Sequence, residues 1–210
     1  MAHTEHYHTK FEEECFYHVY NRSVDKKPMF KSDRNYKFFI KKFDAYLSPV
    51  LDTYAFCLLG NHFHLLVKVR HSKDLSTFEK LTNQEPNKKS IHDLVSHQFR
   101  KFFQSYAMAF NKEQSRTGTL FQTPFKRALV DKDEYFNKLI YYIHANPQIH
   151  GLTNNFKFWQ WSSYNRIIID KESHLQKEAV LDWFGGKQNY IDFHTQNQTH
   201  LFNERLFLND

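Results

Sequence analysis

The chain has 210 residues, of which 40% are hydrophobic and 18% aromatic, and its 29 Lys and Arg against 23 Asp and Glu leave a formal charge of +6. That apolar supply excludes global disorder and suits one substantial domain with appended elements, and the basic balance favours a polyanionic partner. No run approaches the roughly 18 consecutive apolar residues of a membrane span, so no membrane association is expected.

Residues 1–14 begin "MAHTEHYHTK" and lack the apolar stretch of a secretion signal. They read as a flexible tail of a cytoplasmic protein, with His3, His6 and His8 in solvent. "CFYHVYNRS" is a first strand. After Ser32 or Asp33 as a cap, Tyr36, Phe39, Ile40, Phe43 and Leu47 fall at helical spacing, and Pro49 stops that helix. "TYAFCLL" is a second strand. It runs through a Gly60-Asn61 turn into "HFHLLVKV", a third strand on which His62 and His64 share one face and Phe63, Leu65 and Val67 the other. Cys15 and Cys57 read as small buried hydrophobes in a reducing compartment.

The polar stretch from His71 to Ser90 has no apolar period and reads as a long connection. Ile91, Leu94, Val95, Phe99, Phe102, Tyr106 and Phe110 mark a long amphipathic helix. A fourth strand spans Phe125 to Val130. Asp131 or Asp133 then caps "EYFNKLIYYIHAN", a helix ended by Pro147. The order β-α-β-β-α-β-α predicts an α+β fold, a ferredoxin-like antiparallel sheet with helices on one face and its other face open for a site. Residues 15–150 form that domain, and 151–210 an accessory helical segment packed on it.

Two features carry chemistry. The histidine pair suits either two satisfied core imidazoles or two ligands of one metal ion. On the last helix of the domain, Tyr135, Phe136, Leu139, Ile140 and Ile143 project as the buried stripe, with Tyr142 at its edge and Tyr141 turned toward solvent. Asn146, four residues beyond Tyr142, shares its face. The residues alone also allow a boundary tyrosine and an Asn cap.

Gly60-Asn61-His62-Phe63-His64 resembles the His-hydrophobe-His motif of HUH single-strand DNA nucleases, and "YIHANPQIHGL" resembles the tyrosine helix of their single-tyrosine transposases. "TGTLFQTPFKRALV" and "WQWSSY" are similar to the REP-associated tyrosine transposase branch. The likeness runs from Phe16 to Tyr164.

The resemblance implies His62, His64 and Asn146 as ligands of a divalent metal, Mg²⁺ or Mn²⁺, and Tyr142 as the nucleophile. The ion would polarise a scissile phosphate while the phenolate attacks phosphorus, giving a 5′-phosphotyrosine and a free 3′-OH. The expected partner is single-stranded DNA with a hairpin, held by Lys126 and Arg127 before the tyrosine helix and by Lys88, Lys89, Arg100 and Lys101 at the long helix. Asn21-Arg22 fits a family pattern and a turn role equally. Related transposases can be dimers sharing active sites, whereas the REP-associated branch can act as monomers, so a homodimer stays open. Rival readings are an HUH replication or mobilisation nickase, a domesticated non-catalytic hairpin binder, and a zinc-stabilised protein, for which two His and an Asn make a poor closed site.

Overall fold

The computed structural model describes residues 9–75, 90–131 and 133–198. Four strands, β1 (Phe16–Arg22), β2 (Leu51–Leu58), β3 (His62–Val69) and β4 (Lys126–Val130), form one antiparallel sheet in the order β2-β3-β1-β4. The ferredoxin-like pattern is therefore present, with β3 and β1 at its centre.

Helices α1 (Asp33–Tyr46) and α2 (Ile91–Glu113) cover the first face. The α1 stripe of Tyr36, Phe39 and Phe43 continues into Leu47, where Leu47 N still reaches the Phe43 carbonyl before Pro49 removes a donor. A reciprocal capping box starts α2, with Asp93 N donating to Ser90 Oγ and Ser90 N to the Asp93 carboxylate. Phe39, Phe99, Phe102 and Tyr106 pack on Tyr17, Val19, Phe63, Leu65 and Val67, each fully or almost fully buried. Each such large side chain stabilises the fold by about 1.5–3 kcal/mol.

The second face is not open. Helix α3 (Asp133–Ile149) lies across it, and α4 (Tyr164–Ile168), α5 (Lys177–Trp183) and α6 (Lys187–Gln198) close over α3 and β2. Their shared core joins Ala55, Cys57 and Leu66 of the sheet to Leu139, Ile140, Ile143, Tyr164 and Tyr190. The sequence puts enough apolar residues beyond Gly151 to bury both sides of α3, which is why the face is covered. Pro147 does not end α3, which continues to Ile149.

Residues 9–14 are packed and not part of a tail. Phe11 is 2% exposed against Tyr17 and Phe99, and the Tyr17 hydroxyl donates to the Lys10 carbonyl. Residues 1–8, the connection at 76–89 and residues 199–210 lie outside the described residues, as does the Tyr135 side chain. Cys15 is partly exposed, Cys57 is buried, and both are free thiols.

Candidate active site

The two central strands supply the floor of the site. Tyr20 lies opposite His64 and Arg22 opposite His62 across the β1–β3 ladder, so His18, Tyr20, His62 and His64 share the face beneath α3. At this end of the sheet a cavity of about 510 Å³ is lined by Arg22, Lys26, His62, His64, Thr123 and Lys126 among others.

Helix α3 brings in the other two expected residues. The Tyr142 ring stands edge-on to His64 with centroids 5.6 Å apart, and edge-on to His18 at 6.2 Å. One turn later the fully buried Asn146 donates from Nδ2 to the Tyr142 carbonyl at 3.2 Å. Tyr141 faces away from the site, as the helical projection requires, but not toward solvent. Its ring meets Phe156, Phe193 and His194, and it is 9% exposed.

The hydrogen bonds fix how His62 is protonated. Asn61 Nδ2 donates to the Lys26 carbonyl at 2.8 Å, which turns Asn61 Oδ1 toward His62 Nδ1 at 2.7 Å. An amide oxygen only accepts, so the His62 proton sits on Nδ1 and its Nε2 carries a lone pair. That Nε2 is buried with no hydrogen bond, and so is Asn146 Oδ1. Burial holds the His62 pKa down at about 3, with His150 and Arg22 adding to the effect, while the Asn146 amide favours the charged form. Asn146 can therefore bond His62 only when Nε2 is protonated, a state that burial suppresses. Two buried acceptors remain side by side without a donor between them, an arrangement that suits a cation. Burial also holds His64 neutral, followed by the effect of His18. Its Nδ1 pairs with His18 Nε2 at 3.0 Å.

Among the described residues no group of three His, Cys, Asp or Glu side chains is arranged to hold a metal ion. A closed zinc site thus finds no support there, whereas two imidazoles and an amide oxygen fit a divalent ion that retains open positions.

No protein-family model matches the chain. A Haemophilus influenzae protein assigned as a REP-associated tyrosine transposase is 26% identical over 140 residues, which span 64% of this chain and 67% of that protein. A REP-associated tyrosine transposase solved bound to a REP hairpin shares the fold, with a TM-score of 0.56 at 13% identity, over 77% of this chain and 84% of that one. The chain resembles the REP-associated tyrosine transposases.

In this chain, which resembles the REP-associated transposases, the four described members of the six expected DNA-binding cations do not form one track. Lys126 lines the histidine cavity, its Nζ 5.4 Å from the Tyr20 ring centroid. Arg127 points to the opposite face, 7% exposed, with its guanidinium over the Phe11 and Phe125 rings and Nε donating to the Thr9 carbonyl. It packs the edge strand instead of standing free for a phosphate. Arg100 is exposed beside a separate cavity of about 440 Å³ with Phe103, Phe121 and Phe125. Lys101 is half-buried on α2, and Lys88 and Lys89 lie outside the described residues. Arg22 and Lys26 join Lys126 around the histidines. Arg22 had an equal reading as a turn residue, and Lys26 gave no sequence signal. His18 and Asn61 were also missed as site residues. Alternation along β1 places His18 with Tyr20, but only the β1–β3 register brings it to His64.

Proposed function

We propose that the chain is a divalent-metal-dependent single-tyrosine DNA transposase that cuts single-stranded DNA beside a hairpin and keeps one end as a 5′-phosphotyrosine. The observation that carries this reading is Tyr142 packed edge-on against His64, with Asn146 one turn away leaving Oδ1 without a donor beside His62. His62, His64 and Asn146 would hold Mg²⁺ or Mn²⁺, which supplies polarisation of the scissile phosphate and stabilises charge developing on its oxygens.

Everything else in the reaction falls to the chain's own side chains. The Tyr142 phenol gives up its proton to solvent as its oxygen attacks phosphorus, the bond from phosphorus to the 3′ oxygen breaks, and that oxygen takes up a proton from solvent to become a free 3′-OH. One phosphate ester replaces another, so a second 3′-OH can reverse the exchange without an energy cofactor. Arg22, Lys26 and Lys126 surround the cavity with positive charge for the neighbouring phosphates. Burial of α3 between the sheet and the C-terminal helices holds the phenol in place in advance.

The REP hairpin bound by the structural relative supports a DNA hairpin as the partner here, and the single-stranded flank is part of the proposal. The proposed location is the cytoplasm. No described helix is long and apolar enough to cross a membrane, and the two cysteines carry free thiols.

Adjacent tyrosines supply the test. Tyr142→Phe should eliminate the covalent protein–DNA adduct on a denaturing gel, whereas Tyr141→Phe should retain it, because both changes preserve the ring and only one removes a hydroxyl at the histidines. An adduct lost with Tyr141 and kept without the Tyr142 hydroxyl would overturn the assignment.

A further inference from the structure

We infer that His18 is a positioning residue that fixes the tautomer of His64, as Asn61 fixes that of His62. This inference rests on the metal-site reading above and goes beyond it by assigning a role to a residue that touches no substrate.

A neutral imidazole carries one proton on two nitrogens, and only the bare nitrogen can bind a cation. For His62 the turn before β3 makes the choice, because Asn61 Oδ1 can only accept from Nδ1. His64 meets a partner with more freedom. His18 Nε2 lies 3.0 Å from His64 Nδ1, and the two residues are 3% and 1% exposed. One proton must lie between them. If His18 donated it, the neutral His64 ring would carry its proton on Nε2, and that nitrogen would be closed to a metal. If His64 donates, its Nε2 is bare and His18 serves as the acceptor.

The surroundings hold the His18 ring in place beside His64. Its ring stacks on Tyr20 at 4.8 Å and on His64 at 5.2 Å, with interplanar angles of 25° and 20°. The edge of Tyr142 closes the third side. One short hydrogen bond from a neighbouring strand thus decides whether the second histidine can serve as a ligand, the part that outer partners play in known metal sites.

The test uses the full chain without DNA, so that it does not depend on turnover. Manganese binding is titrated by electron paramagnetic resonance of free Mn²⁺, and the His64 tautomer in metal-free protein is read from long-range ¹H–¹⁵N correlations. The wild-type chain should take up Mn²⁺ and show His64 protonated on Nδ1. His18→Phe, with no acceptor, should weaken Mn²⁺ binding by about 10- to 100-fold and move the His64 proton to Nε2. His18→Gln, whose amide oxygen can accept, should recover most of the loss. Circular dichroism checks that each variant is folded. If the phenylalanine variant does not fold, the wild-type tautomer and the glutamine variant still decide. Wild-type affinity in folded His18→Phe, or a wild-type His64 protonated on Nε2, would overturn the role of His18 and leave the metal site standing. A folded wild-type chain that takes up no Mn²⁺ would remove both.

Discussion

Two sets of buried histidines lie against opposite sides of α3, and they differ in whether their nitrogens are satisfied. On the side toward α6, His194 Nδ1 donates to the Tyr190 carbonyl, so its Nε2 accepts from His144 Nδ1 at 3.0 Å. His144 Nε2 in turn accepts from Ser163 Oγ at 2.7 Å, and the same oxygen receives the Phe56 amide of β2. Every ring nitrogen in that chain has a partner. On the side toward the sheet, His62 Nε2 and Asn146 Oδ1 have none. Burial lowers the pKa of His62, His64, His144 and His194 alike, so depth and pKa do not separate the two sets. What separates a fastening from a site is whether the hydrogen bonds close.

The sharpest way to break this comparison is to remove one member of each set. His144→Ala leaves Ser163 and His194 without their partner and opens a void, at a cost of about 2–4 kcal/mol. The thermal midpoint should fall by about 5–15 °C. His62→Ala takes away one hydrogen bond, from Nδ1 to Asn61 Oδ1, but no partner of Nε2, and should cost about 1–2 kcal/mol, less than His144→Ala, while abolishing cleavage. Equal losses of stability in the two variants would erase the distinction.

A pH series sharpens it further. His194 is held at about 3, first by burial and then by Lys157, against the opposing Tyr190 carbonyl; His144, Tyr141, Tyr164 and Tyr190 also face it. The unfolded chain protonates this histidine near 6.5, before the folded chain does. Its contribution is therefore full above about 6.5 and is lost as pH falls toward about 3, by up to about 1.4 kcal/mol per unit. Urea unfolding between about pH 4 and 7 should show a shallower slope in His194→Gln.

The smallest effect separates neighbours on β4. Lys126→Ala should weaken hairpin binding a few-fold and flatten the log–log salt slope by about 0.7–0.9, as expected for one lost phosphate contact. Arg127→Met should leave the slope alone and lower the unfolding midpoint, because its guanidinium is buried between Phe11 and Phe125.

The order of elements, the shared face of His62 and His64, and the common side of Tyr142 and Asn146 were legible because periods of 2 and 3.6 are local properties of the chain. What was not legible depends on segments that come from far away in sequence. A helix projected alone cannot reveal that α6 covers Tyr141, and the charge of Arg127 gives no sign that Phe11 folds over it. The pairing of His144 with His194, 50 residues apart, leaves no local pattern. His18 lies in a strand that was recognised, yet its partner is set by β-sheet register across 46 residues.

Helix α3 is fastened on one side to α6 and to β2 through Ser163, while its other side sets Tyr142 against His64 of the same polypeptide. Tyr142 and the histidines are thus inherited together by every copy that folds. Dilution that dismantles an assembly of such chains would not separate the tyrosine from its histidines, and the number of centres would follow the number of molecules in simple proportion.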